Sequence, residues 1–229
     1  MPKIGTIGIL AGMGPRSTAP FLNQVLDECQ KQYGAKNDID FPHIIIYSLP
    51  TPFYVDKPID HEEMKKVVCE GLRKLEAAGV DFIAIPCNTV HKYFEDMKKS
   101  VHVPVLNIVD ETMKCINPKS QKIILVATRA TMQAELYQTQ IQKKAWKYEE
   151  REVWQKKVDA LIKEVKAGKN KKAIAKWKVL IKELQKAKVD TIIIACTDLS
   201  TFAKKTKKVR VVDSSSCLAK AVIEKYRET

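Results

Sequence analysis

No apolar run in the chain approaches the roughly 20 residues that a membrane-spanning helix requires, so no membrane association is expected. The opening MPKIGTIGIL is too short and too glycine-broken for a signal peptide. It reads as a strand, and a cytoplasmic location is expected. The six cysteines, Cys29, Cys69, Cys87, Cys115, Cys196 and Cys217, form no C-x-x-C pair and lack the close spacing of a disulfide scaffold or zinc finger. Neither a metal site nor a disulfide framework is therefore expected, and each thiol is read as reduced. Aromatic residues are scarce, at 7%, and no nucleic-acid-binding module is signed in the sequence. That scarcity weighs against the formal charge of +13, which by itself would suggest a phosphate-rich partner. Much of the excess lies in KKVDALIKEVKAGKNKKAIAKWKVLIKELQKAK. There Val158, Leu161, Ile162 and Val165, then Ile174, Trp177, Ile181 and Leu184, recur at helical spacing with lysines between them. These segments are expected to be amphipathic helices with solvated basic faces, and nucleic acid is not expected as a partner.

What the chain does contain is a repeated phrase. VDFIAIPCNT at residues 80–89 and VDTIIIACTD at residues 189–198 align without a gap, matching Val80 with Val189, Asp81 with Asp190 and Cys87 with Cys196. The isoleucine-rich character of both is what any buried parallel strand shows, but that does not account for the two cysteines. The surrounding order repeats as well. KIGTIGILAGMGPRST and QKIILVATRATM each read as a strand opening into a turn, followed by helices from about Thr18 and Met132. FPHIIIYS is a second strand in the first half, and AWKYEEREV is its weaker counterpart. VPVLNIVD and VRVVDSSS close the two halves as further strands. Alternating strands and helices predict an α/β fold of two pseudo-symmetric lobes, each a parallel sheet flanked by helices, with the active site in the cleft between them. The lobes are expected at residues 1–109 with 213–229, carrying Cys87, and at 110–212, carrying Cys196. The final helix, CLAKAVIEKYRE, is expected to return to the first lobe.

Ligands of open parallel sheets bind beyond the carboxyl ends of the strands, where both Cys87 and Cys196 fall. Each precedes an expected helix, whose N-terminal N–H groups should favour thiolate over thiol. Two facing thiols, one charged and one protonated, can invert a carbon stereocentre: one removes a proton from one face and the other returns a proton to the opposite face. Asn88, Thr89, Thr128 and Thr197 stand near enough in the pattern to hydrogen-bond a carboxylate between them. His91, one helical turn after Cys87, either shares a hydrogen bond with the sulfur or caps the helix start. Asp198 either orients Cys196 or complements a helix N-terminus. The GMGPRST turn matches neither dinucleotide nor nucleotide phosphate loops, and no lysine occupies an evident pyridoxal phosphate setting, so no cofactor is expected. Cys29 and Cys69 lie on apolar helix stripes, while Cys115 and Cys217 carry no flanking motif.

Taken in order, IGILAGMGPRST, PCNTVH, ATRATM, ACTDLS and VVDSSS resemble the aspartate/glutamate racemase family over nearly the whole chain. The resemblance implies a cofactor-independent amino-acid racemase, usually a homodimer, with Cys87 and Cys196 as its two bases and aspartate or glutamate as substrate. It further implies that Met13, Asn88, Thr89, Thr128 and Thr197 contact the substrate's α-carboxylate and amino group, and that Lys166 faces its side-chain carboxylate. The sequence departs from the family pattern in two places. Phe53, Tyr54 and Val55 stand where aspartate racemases carry an arginine for that carboxylate, and Ala195-Cys196-Thr197-Asp198 replaces the usual Gly-Cys-Thr-Glu. Other readings of the same cysteines are cis-trans isomerisation or decarboxylation of a small diacid. A non-catalytic nucleic-acid-binding protein on this scaffold is a third alternative.

Overall fold

The structure is a computed structural model that describes residues 5–54, 57–120, 122–201 and 209–228. The first half runs β1 (Thr6–Ala11), α1 (Thr18–Tyr33), β2 (His43–Ser48), α2 (His61–Ala77), β3 (Phe82–Ala84), α3 (Phe94–Lys99) and α4 (Ile108–Lys114). The second half runs β4 (Ile123–Ala127), α5 (Arg129–Gln133), α6 (Leu136–Lys143), α7 (Glu152–Lys166), α8 (Asn170–Lys186), β5 (Thr191–Ala195), β6 (Arg210–Asp213) and α9 (Ser214–Tyr226). All strands pair in parallel, in two sheets ordered β2-β1-β3 and β4-β5-β6. A bridge between Ile83 and Val105 adds a fourth position to the first sheet, and one between Ile123 and Tyr148 does the same for the second. Counting those positions, the two sheets have the same order.

The expected strands at VPVLNIVD and AWKYEEREV are thus reduced to single bridges. Pro104 has no N–H to donate and contributes only its carbonyl, to Ile83 N at 2.8 Å. Asn107 then ends the extended segment by capping α4, its side chain accepting from Val109 N. At the other site the chain enters α7 four residues after Tyr148.

The pleat decides what each strand residue touches. Ile7 and Ile9 of β1, Ile123 and Leu125 of β4 and Ile193 of β5 face one continuous core with Phe21, Val25, Leu218 and Val222 of α1 and α9. Leu10 and Ile83 turn to the opposite side, against Met64, Val68 and Leu72 of α2. Ile192 and Ile194 likewise turn away from that shared core, toward α7 and α8. The shared core joins the lobes, while each outer core belongs to one. As expected, α9 lies along α1, and it also packs on α4.

Two details depart from the periodicity reading. Ile174 is exposed, because the buried stripe of α8 runs through Ala173, Trp177, Leu180, Ile181 and Leu184, one position earlier at its start. The helical region after β4 begins at Arg129 rather than Met132, since the Thr128 hydroxyl caps α5 by accepting from Thr131 N. Lys3 and Ile4 of the expected first strand, and Val55, lie outside the described residues.

Candidate active site

The repeated aspartates fasten the two cysteine-bearing strands in matching ways. Asp81 Oδ2 accepts from Thr6 N, and Asp190 Oδ2 accepts from Lys122 N, each at 2.7 Å. These bonds join the start of each cysteine-bearing strand to the start of a neighbouring strand, β1 or β4, and deliver Cys87 and Cys196 to corresponding ends of the two sheets. At the end of β1, Gly12 takes φ +91, and a Cβ there would lie 2.6 Å from both N and O of Leu49, so only glycine lets β1 and the chain after β2 approach this closely.

Both sulfur-bearing residues line one cavity of about 420 Å³ between the lobes. Met13, Asn88, Thr89, Thr128, Lys166, Thr197 and Asp198 line it too, so nine of the ten residues singled out in the sequence meet there. His91 is the exception. Its Nε2 accepts from Ile108 N at 3.2 Å, which fixes the proton on Nδ1, and that N–H donates to the carbonyl of Cys87 at 2.7 Å. The imidazole therefore holds the backbone of the cysteine and the start of α4, and its hydrogen bonds go to neither sulfur. Burial pushes its pKa down to about 4, so it is a neutral bolt.

The expectation of thiolates favoured by helix N-termini is reversed. Backbone N–H groups of Val90 and Thr89 do serve Cys87, but burial outweighs them and raises that thiol to about 11. Cys196 is raised to about 12 by burial and by the nearby Asp198 carboxylate, against the opposing charge of Lys166. The segments that follow the cysteines begin as short 3-10 turns, Thr89–Tyr93 and Thr197–Leu199, which carry a smaller dipole than the expected helices. Lys166 Nζ lies 3.1 Å from Asp198 Oδ2 and 5.1 Å from the centroid of the Phe53 ring. Burial opposes the charge on Lys166, but the Asp198 carboxylate beside it raises its pKa and keeps it cationic.

Several polar groups of the cavity bond from lobe to lobe. Thr89 Oγ1 lies 3.2 Å from Thr128 Oγ1 and 3.0 Å from Thr131 Oγ1. The Thr197 hydroxyl donates to the carbonyl of Pro86, next to Cys87, at 3.0 Å. Asn88 Nδ2 donates to Ser214 Oγ at 2.9 Å and Asn88 Oδ1 accepts from the Tyr137 hydroxyl at 2.6 Å, which leaves one amide hydrogen for a ligand. Sequence reasoning missed Ser48 and Arg16, which also line the cavity. Ser48 ends β2 and Arg16 belongs to the turn after β1, so the rule that singled out the cysteines, applied to every strand end, would have found both. Thr131 and Ser214 lie in the quoted ATRATM and VVDSSS segments, but their contacts with Thr89 and Asn88 join residues 42 and 126 positions apart and appear only in the fold.

A two-lobed α/β fold with a thiol at a strand end of each lobe, both lining one cavity that also carries hydroxyl and amide groups, defines a class suited to proton transfer on opposite faces of a small molecule. The chain belongs to the Asp/Glu/hydantoin racemase family, whose model matches residues 10–222. It is 46% identical over 222 residues to the broad-specificity amino-acid racemase RacX of Bacillus subtilis, an alignment covering 96% of this chain and 97% of that protein. Its fold is similar to that of the Picrophilus torridus aspartate racemase, with TM-score 0.84 and 24% identity over 97% of this chain and 94% of the other. It also resembles an aspartate racemase homologue from Pyrococcus horikoshii, with TM-score 0.76 and 26% identity over 97% of this chain and 99% of that one.

Proposed function

We propose that the chain is a cofactor-independent amino-acid racemase in which Cys87 and Cys196 are the two bases. The observation that carries this reading is that the two cysteines, one from each lobe, line one cavity together with hydroxyl and amide side chains. One thiolate removes the α-proton from one face, and the opposing thiol donates its proton to the other. For the reverse reaction the roles exchange, because the product leaves the two sulfurs with swapped protonation. With both thiols protonated in the free enzyme, a proton must leave one of them before turnover. The ammonium of Lys166, which lines the same cavity, supplies positive charge that favours this loss. Thr89, Thr128, Thr197 and the remaining Asn88 amide hydrogen supply donors for the α-carboxylate, and Met13 shapes the apolar wall.

Aspartate and glutamate are the substrates this reading takes first, with Lys166 toward the side-chain carboxylate. The ring of Phe53 under that lysine, and the ion pair it already makes with Asp198, favour a broader range that includes neutral side chains. The relative named for broad specificity supports the same extension. A homodimer in the cytoplasm completes the reading, and light scattering of the purified chain checks the dimer. The activity is tested by incubating a panel of L- and D-amino acids with the reduced protein and resolving the products on a chiral column. Appearance of the opposite enantiomer, abolished by Cys87→Ser and by Cys196→Ser, is expected. Full turnover in either variant, or geometric isomerisation or decarboxylation of a diacid in place of inversion, would overturn it.

A further inference from the structure

Among the described residues that line the cavity, three side chains are charged: Arg16, Lys166 and Asp198. Lys166 and Asp198 face each other at 3.1 Å, which leaves the charge of Arg16 unmatched. Arg16 belongs to the short turn after β1 and makes no ion pair or side-chain hydrogen bond with any described residue. Its position is nevertheless defined. Gly168, just past the end of α7, takes φ +73, and a Cβ built there would lie 3.5 Å from Nη2 of Arg16 and 3.7 Å from its Cζ. A guanidinium of the first half-chain therefore lies against the turn that follows Lys166 in the second. That turn is closed by its own backbone, with Gly168 N donating to Val165 O at 2.9 Å and Lys169 N donating to Glu164 O at 2.8 Å. The turn that carries Arg16 also backs the ion pair, since a Cβ on Gly14 would lie 3.1 Å from Asp198 Oδ1. Arg16, Lys166 and Asp198 thus gather where α7 ends, and only Arg16 has its donors free.

We infer that Arg16 binds a second carboxylate of the substrate, beside Lys166, and so gives this cavity a preference for amino acids with acidic side chains. The inference rests on the racemase reading, in which the threonine hydroxyls and the Asn88 amide serve the α-carboxylate. A guanidinium presents paired N–H donors that match the two oxygens of a carboxylate, and such charge-assisted bonds are roughly twice as strong as neutral ones. Lys166 is already held by Asp198, so an incoming carboxylate gains less from it. The exposure of Arg16 sets the size of the effect. Because the side chain is solvated in the free protein, a neutral substrate does not strand it as a buried, unpaired charge. Acidic substrates are therefore favoured by a modest factor, about 10-fold, and neutral ones remain admissible.

The test is calorimetric titration of the purified chain with succinate and with butyrate, which have the same carbon skeleton and differ in the second carboxylate. The wild type should bind succinate about 10-fold more tightly than butyrate. Arg16→Gln should remove most of that advantage, whereas Arg16→Lys, which keeps the charge, should retain a clear part of it. Equal affinity for the two acids in the wild type, no detectable succinate binding, or an undiminished advantage in Arg16→Gln would each overturn the inference. So would an Arg16→Lys variant no better than Arg16→Gln, since the side chain would then act through its packing on Gly168 and not through charge. Neither acid has a stereocentre, so the readout is binding without turnover. Failure here therefore leaves the racemase reading to the chiral assay, and failure of that assay leaves the affinity ratio to be judged by itself.

Discussion

Burial raises Cys87 to about 11 and Cys196 to about 12, so at neutral pH both sulfurs of the free protein carry protons. Each rise of one pH unit then multiplies the thiolate-bearing fraction about tenfold, and kcat/KM should climb with near-unit slope from about pH 6.5 to about pH 8.5. A level profile across that range would show that one thiol is already ionised. At Phe53 the expected change is in substrate choice. Phe53→Arg places a guanidinium beside the Lys166–Asp198 pair, and a charge-assisted bond to a side-chain carboxylate should favour aspartate over leucine by ~10-fold or more in the kcat/KM ratio. An unchanged ratio would place the substrate side chain elsewhere. His91 acts on stability. Its folded pKa of about 4 lies below the ordinary value of 6.5, so between those values only the unfolded chain takes up the proton. Stability therefore falls as pH drops from about 6.5 to about 4, by about 3 kcal/mol in all, and is unaffected by this group at higher pH. Urea titrations at several pH values should show this slope in the wild type and its absence in His91→Gln.

Among the elements, the two aspartates that close the repeated strands make parallel contributions. Asp81→Ala and Asp190→Ala each remove a carboxylate that accepts a backbone N–H at the start of the neighbouring strand. Each should cost about 1.5 to 3 kcal/mol in chemical denaturation, since each loses a charge-assisted bond of the same length. Much of this was legible beforehand: the gap-free match of Val80–Thr89 with Val189–Asp198 located both strands, both cysteines and the parallel sheets. Other features were not legible. Pro104 and the cap at Asn107 reduce VPVLN to one bridge, a competition between strand and helix start that hydrophobic pattern alone does not resolve. Ile174 fits the helical period but lies beside the buried stripe of α8, which starts at Ala173. The charge state of the thiols was misjudged because a sequence displays the approaching N–H groups and not the depth of burial.

At the scale of the whole molecule, the lobes are joined by one shared core and by hydroxyl contacts across the cavity, so each half-site depends on the other half-chain. His91 illustrates the division of labour. The sequence left it either sharing a hydrogen bond with the sulfur or capping the helix start, and the fold uses it to tie the Cys87 carbonyl to the start of α4. The central claim is that two sulfurs, one per lobe, act on opposite faces of the same carbon. It is tested most directly by following racemisation of a single enantiomer in deuterated water at initial rate, and measuring α-deuterium separately in the product and in the recovered substrate. The account predicts deuterium in nearly every molecule of product and almost none in the substrate, because the abstracting thiol keeps its proton until the opposite thiol has delivered a deuteron. Equal labelling of both enantiomers from the earliest times, or product that retains its original proton, would mean that a single base serves both faces and would contradict it.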